Sequence, residues 1–209
     1  MKIYFMRHGE TNWNKERKLQ GQVDIPLNLY GISLAEATAL ALSHVKFDKI
    51  FSSPLIRAYE TASIMARERE LEIVTDDRLL ELSFGKGEGV SLSYIHSHPE
   101  SNLYNFIHNP AAYIPPEGGE SINSLYTRCG LFLNECIFPL EAECSNILVV
   151  AHGALIRGMI YHMTGRDLSD FWSVTHKNCS VTISEYKNKK FTLLEEAKIY
   201  YDEKTEADW

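Results

Sequence analysis

Five consecutive residues, Ile147-Leu148-Val149-Val150-Ala151, are apolar with no polar residue among them. A strand with one wet face alternates apolar and polar side chains. A strand that is apolar at every position is buried on both faces, and its usual setting is the middle of a parallel sheet with helices on either side. That one run predicts an α/β chain in three layers. It is too short to span a membrane, and no stretch of the chain approaches the ~20 apolar residues a spanning helix needs.

The rest of the pattern agrees. Ile3-Tyr4-Phe5-Met6, Lys49-Ile50-Phe51 and residues 72–75 read as three further strands. Ser33 and Glu36 form a capping box that opens a helix running to about His44. Ser53 as N-cap and Pro54 at the first helical position open the next, with Leu55, Ala58, Ala62 and Met65 as its core stripe. From Ser121 a long helix carries Ile122, Leu125, Cys129, Phe132 and Cys136 on one stripe, and Pro139 ends or kinks it. Another helix is expected from Ala154 to Met163, closed by Gly165. Cys179, Val181 and Ile183 alternate with Ser180, Thr182 and Ser184, which predicts a half-buried strand; residues 187–190 turn it into Phe191–Leu194.

Residues 9–30 read as a long functional loop. Residues 82–120 hold glycines, prolines and at most short helices, and are expected to be an insertion that acts as a lid or specificity wall. Residues 200–209 read as a loose acidic tail. The expected fold is therefore a three-layer α/β sandwich with a mostly parallel central sheet, an inserted lid segment and a C-terminal antiparallel hairpin. It is expected to form one domain over residues 1–209.

A net charge of −7 argues against a nucleic-acid or membrane-surface binder as a whole, though not against one cationic pocket. The four cysteines, Cys129, Cys136, Cys144 and Cys179, form no C-x-x-C pair. They read as small buried side chains in a reducing cytoplasm, the expected compartment. The first apolar run ends at Arg7 and is too short for a secretory leader. Monomer and homodimer are both compatible with the sequence.

Three expected strands end in unusual residues: Arg7-His8-Gly9, Ser53-Pro54 with Arg57, and His152-Gly153. Ligands of open α/β sheets bind outside the carboxyl ends of the strands. Two histidines and two arginines gathered there suit a phosphoryl group. Arginine forks neutralise its oxygens, and the amides of Gly153 and Ala154 at a helix start can face an anion. Gly9 allows close backbone approach. A neutral imidazole can attack phosphorus and form a covalent intermediate, and His152 can stabilise the transferring charge. Glu81, after Leu79-Leu80, is the candidate proton donor to the leaving alkoxide, with Glu60 and Glu88 as competing carboxylates.

The bland readings are satisfied core histidines, metal-ligating histidines, and an Arg57 that only pairs with Glu60 or Glu81. Arg7 beside His8 argues against a bound cation, so neither a metal nor a cofactor is expected. His96, His98, His108, His162 and His176 read as surface or packing residues. Tyr94, Tyr104, Phe106 and Tyr113 either anchor the insertion or touch substrate.

Residues 7–14, Arg-His-Gly-Glu-Thr-Asn-Trp-Asn, resemble the signature of the histidine phosphatase superfamily in its phosphoglycerate-mutase-like branch. Residues 21–27 (GQVDIPL), 52–62 (SSPLIRAYETA) and 151–153 (AHG) resemble three further motifs of that family, in order. The resemblance covers about residues 1–186. It implies His8 as the phosphorylated nucleophile and Arg7, Arg57 and His152 as the phosphate pocket. It adds Asn14, Gln20 and Gly21 as phosphate contacts and Glu81 as acid/base. The chain departs from the pattern at Gly87, where similar proteins usually carry Trp, so the wall near Glu81 is expected to be wider or looser.

From Leu82 to Thr127 the only basic residue is Lys86. A phosphoglycerate mutase must grip a substrate carboxylate, and a bisphosphatase a second phosphate. The cation-poor insertion therefore points to a phosphatase for a small monoester with a neutral, partly apolar alcohol. The alternatives are a cofactor-dependent phosphoglycerate mutase, a housecleaning phosphatase for nucleotides or damaged metabolites, and a silent phosphate-binding module.

Overall fold

The computed structural model describes residues 1–202. Strands β1 (Lys2–Arg7), β2 (Lys49–Ser52), β3 (Ile73–Thr75), β4 (Asn146–Ala151), β5 (Val181–Lys187) and β6 (Lys190–Lys198) form one sheet in the order β3-β2-β4-β1-β5-β6. β4 runs parallel to β1 and β2 between them, as its unbroken apolar sequence requires. Val149 pairs with Phe5 on one side and Phe51 on the other. β5 and β6 are antiparallel.

Alternate residues of the central strands enter two cores. Ile147, Val149 and Ala151 join Phe5 and Phe51 on one face, beneath α6 (Ile122–Phe132), α7 (Gly153–Thr164) and the 82–120 segment. Leu148 and Val150 join Met6 and Ile50 on the other, beneath α2 (Leu29–Ala41) and α3 (Ile56–Ala66). The first loop carries one short helix, α1 (Asn12–Lys15), and the 82–120 segment carries α4 (Leu92–Ser97) and α5 (Asn102–His108). No helix among the described residues is long and apolar enough to cross a membrane.

Several local expectations change. α2 starts at Leu29 because Asn28, not Ser33, caps it, accepting the Gly31 N–H at 2.7 Å. Ser33 lies inside the helix and donates to the Tyr30 carbonyl. α3 starts at Ile56 rather than Pro54. Ser53 Oγ accepts the Leu55 N–H, and Asp24, 32 residues away in sequence, accepts the Ile56 N–H at 2.7 Å. Cys136 leaves the α6 stripe because the chain widens into a π turn over Leu133–Ile137. The extra residue in that turn puts Leu133 and Ile137 in the core instead.

β5 is not half-exposed. It lies between β1 and β6, and Thr182 and Ser184 are fully buried. Their hydroxyls are used inside the sheet: Thr182 accepts the Ala197 N–H, and Ser184 donates to the Thr192 carbonyl. Asn188 and Lys189 turn the hairpin with φ of +52° and +60°. The expected loose tail is tied at its start, where the Tyr201 hydroxyl donates to the Asn178 carbonyl at 2.7 Å. Residues 203–209 of that tail lie outside the described residues.

Candidate active site

The strand order assembles the site. The His8 N–H donates to the Ala151 carbonyl at 2.9 Å, and the Ser53 N–H donates to the Val150 carbonyl at 3.0 Å. The exits of β1, β4 and β2 are therefore laced together. A cavity of about 350 Å³ opens there. Arg7, His8, Asn14, Gln20, Gly21, Arg57, Glu81, Gly153 and Ala154 all line it. His152 is wholly buried beside this cluster, with its ring centroid 5.2 Å from that of His8.

His8 Nδ1 is 2.7 Å from the Gly9 carbonyl. A carbonyl only accepts, so Nδ1 carries the hydrogen and Nε2 of the neutral ring keeps its lone pair. Burial, and then the nearby Arg57 and Arg7 guanidinium groups, push the His8 pKa well below its ordinary 6.5, so the ring is neutral.

The arginine forks are partly anchored on backbone. Arg57 donates from Nη1 to Val23 and from Nη2 to Gly21, at 2.8 and 2.7 Å. Arg7 donates from Nη1 to the His176 carbonyl at 2.6 Å. Neither pairs with Glu60 or Glu81. Glu60 accepts the Leu27 N–H instead. Both arginine Nε atoms and His152 Nδ1 are buried without a partner. Burying polar groups unpaired is costly, so three such atoms around one histidine mark a place for an anionic acceptor.

Thr11 orients two amides. Its N–H donates to Asn14 Oδ1 at 3.1 Å and its hydroxyl lies 2.9 Å from Gln20 Oε1. Asn178 Nδ2 also donates to Asn14 Oδ1. With their oxygens engaged, Asn14 and Gln20, both in the cavity lining, keep their NH2 groups as their remaining polar groups. Gly21, at φ +51°, contributes through the carbonyl that holds Arg57.

Glu81 corrects one expectation. Its Oε2 accepts the Ala154 N–H and its Oε1 the Leu155 N–H, both at 3.1 Å. The anion seated on the first turn of α7 is thus this carboxylate, drawn by the free amides and dipole of the helix start. Arg128, paired with Glu120, holds the Leu80 and Glu81 carbonyls and fixes the segment from below.

Gly9 is required by a different neighbour than expected: a Cβ there would lie 2.6 Å from the Gly31 carbonyl oxygen. Gly87 leaves no gap, because Leu103 of α5 fills the space beside it. His96 is exposed and His176 is buried, as expected of a surface and a packing residue, and both also line the cavity. His96 shares a hydrogen bond with His108 at 3.0 Å, and Tyr104 stacks on His108. Phe106 lines the cavity and packs on Tyr113, whereas Tyr94 is exposed and stacks on His98.

Sequence reasoning missed Arg157, Trp172 and Lys18 in the wall. Arg157 had a readable signal, one helical turn after Gly153 on the same face. Its guanidinium donates to the Gly153, Phe171 and Val174 carbonyls and stacks 4.5 Å over Trp172. Lys18 pairs with Glu16. Trp172 donates to the Phe106 carbonyl and ties α5 to the 171–176 loop.

Comparison with known proteins bears on family and fold. The sequence model of the histidine phosphatase superfamily (branch 1) matches residues 3–198. Phosphoserine phosphatase 1 of Hydrogenobacter thermophilus is 30% identical over 194 residues, covering 93% of this chain and 90% of that protein. A probable phosphoglycerate mutase of Proteus mirabilis is 32% identical over 189 residues, covering 90% of this chain and 86% of that protein. Among solved structures, Bacillus stearothermophilus YhfR superposes with a TM-score of 0.87 at 30% identity, over 95% of this chain and 97% of that one.

Proposed function

The chain belongs to the histidine phosphatase superfamily, and we propose that it is a metal-independent phosphomonoesterase working through a phosphohistidine on His8. The observation that carries this reading is three unpartnered buried nitrogens, Arg7 Nε, Arg57 Nε and His152 Nδ1, on the two guanidinium groups and the ring that neighbour a histidine with a fixed Nδ1–H. The free lone pair of His8 Nε2 attacks phosphorus. The Nε2–P bond forms as the P–O bond to the alcohol breaks. The equatorial oxygens take their hydrogen bonds from the two arginines, His152, Asn14 and Gln20. Glu81 relays a proton from the ester, bound as its monoanion, to the departing alkoxide. Water then attacks phosphohistidine, returns a proton to Glu81 and releases inorganic phosphate.

The alcohol side of the cavity is walled by Phe84, Leu92, Phe106, Ile107 and Trp172. The two extra cations in the wall already hold partners, Arg157 three carbonyls and Lys18 the Glu16 carboxylate. These features support a monoester with a neutral, partly apolar alcohol over a substrate with a second acidic group. Rapid-quench labelling with a phosphate ester tests the chemistry: phosphohistidine should form in the wild type and not in His8→Ala. Efficient turnover of 3-phosphoglycerate with 2,3-bisphosphoglycerate would instead make the protein a mutase. Tight phosphate binding without any labelling would make it a silent module.

A further inference from the structure

Ser53 lies at the exit of β2, wholly buried, with Oγ 2.8 Å from His152 Nε2. The same oxygen accepts the Leu55 N–H at 3.3 Å. We propose that Ser53 is a positioning residue whose hydroxyl donates to His152 Nε2 and so fixes the ring as the Nδ1–H tautomer, aimed at the transferring phosphoryl group.

The argument is one of hydrogen counting. A neutral imidazole has one N–H and one lone pair. If Nε2 carried the hydrogen, Ser53 Oγ would accept from both Nε2 and Leu55, and its own hydrogen would have no acceptor among its bonded neighbours in a buried site. The Nδ1 lone pair would then face phosphoryl oxygens that carry lone pairs of their own. With the hydroxyl donating to Nε2, every atom is used: Leu55 fills one acceptor position of Oγ, His152 takes its hydrogen, and the unpartnered Nδ1 becomes a donor. Burial and Arg57 disfavour the doubly protonated ring, so the tautomer question has only these two answers.

Backbone geometry holds the pair in place. The Ser53 N–H donates to Val150 of β4, two residues before His152, so serine and histidine ride on adjacent parallel strand ends. The inference deepens the proposed phosphatase reading by assigning how one of its donors is prepared, and it rests on that reading for the identity of the acceptor.

The test is ¹⁵N–¹H NMR of the histidine rings in the wild type, Ser53→Ala and Ser53→Thr, together with steady-state kinetics. Expected are a protonated Nδ1 on His152 in the wild type and a shift toward the Nε2–H form in Ser53→Ala. Turnover should fall by about 10²-fold in Ser53→Ala, the cost of losing one aimed donor, with KM changing little and Thr restoring most of the rate. Wild-type His152 found protonated on Nε2 overturns the proposal, as does a Ser53→Ala protein with tautomer and kcat unchanged. If Ser53→Ala does not fold, the wild-type spectrum decides alone. A wild type that hydrolyses no ester removes the phosphatase reading but leaves the tautomer result standing.

Discussion

The carbonyl of Gly21 accepts from Arg57 Nη2 at 2.7 Å, so a loop residue at φ +51° holds one prong of the buried guanidinium. A Cβ at Gly21 would lie 2.2 Å from Glu88 Oε1, so the position admits no side chain without moving Glu88. That carboxylate oxygen also accepts the Gln22 and Phe84 N–H groups, which ties the loop to the start of the insertion.

Arg57→Lys keeps a charge but loses the fork that spans the Gly21 and Val23 carbonyls and the Nε–H. Its kcat/KM with a nitrophenyl phosphate should fall by about 10²–10³-fold. Steady-state kinetics measure this, and a loss below tenfold would mean that Arg57 is only a loop anchor.

Glu81→Ala should harm esters of poor leaving groups more than nitrophenyl phosphate, because nitrophenolate departs without a proton. The dependence of rate on leaving-group pKa should steepen in the variant. An equal loss for all esters would assign Glu81 to positioning α7, where its carboxylate caps Ala154 and Leu155.

Stability should fall as pH drops below about 6.5. His8 and His152 are held well below their ordinary pKa by burial and the arginines, and His176 is lowered to about 2 by burial, Arg157 and Arg7. In the unfolded chain each takes up a proton near pH 6.5 while the folded protein does not. The unfolded state therefore binds more protons in that window, and stability is lost as pH falls from the unfolded toward the folded pKa. The limiting slope is about 1.4 kcal/mol per pH unit for each ring. Urea unfolding from pH 7.5 to 5 measures it; a flat profile would mean these rings titrate normally.

A Cβ on Gly87 would lie 3.0 Å from both methyl groups of Leu103. Gly87→Trp should therefore displace α5 and destabilise the protein by at least ~1–3 kcal/mol through overpacking. Leu103→Ala should cost ~2–5 kcal/mol by the cavity it leaves. In the double variant Gly87→Trp with Leu103→Ala the two costs should partly cancel, and denaturant midpoints would show whether they do.

Activity should survive chelation, because Arg7 and Arg57 supply the positive charge around His8. A complete loss in EDTA, restored by a divalent ion, would contradict the metal-independent reading.

The apolar run of β4 sufficed to specify a central parallel strand, since only burial on both faces suits five such residues. The Arg7-His8, Arg57 and His152 clusters were likewise legible, because strand exits are where an α/β sheet presents its ligand-binding side chains. What the chain could not disclose in one dimension was hydrogen-bond occupancy. Gly153 and Ala154 looked like an anion site until Glu81, 73 residues before Ala154, took the Ala154 amide. Gly87 looked like a gap until Leu103 filled it, and Asp24 capped a helix 32 residues on. Local propensity sets where elements begin and which face is apolar. Which donor is left for a ligand depends on partners far apart in sequence, and only packing brings those together.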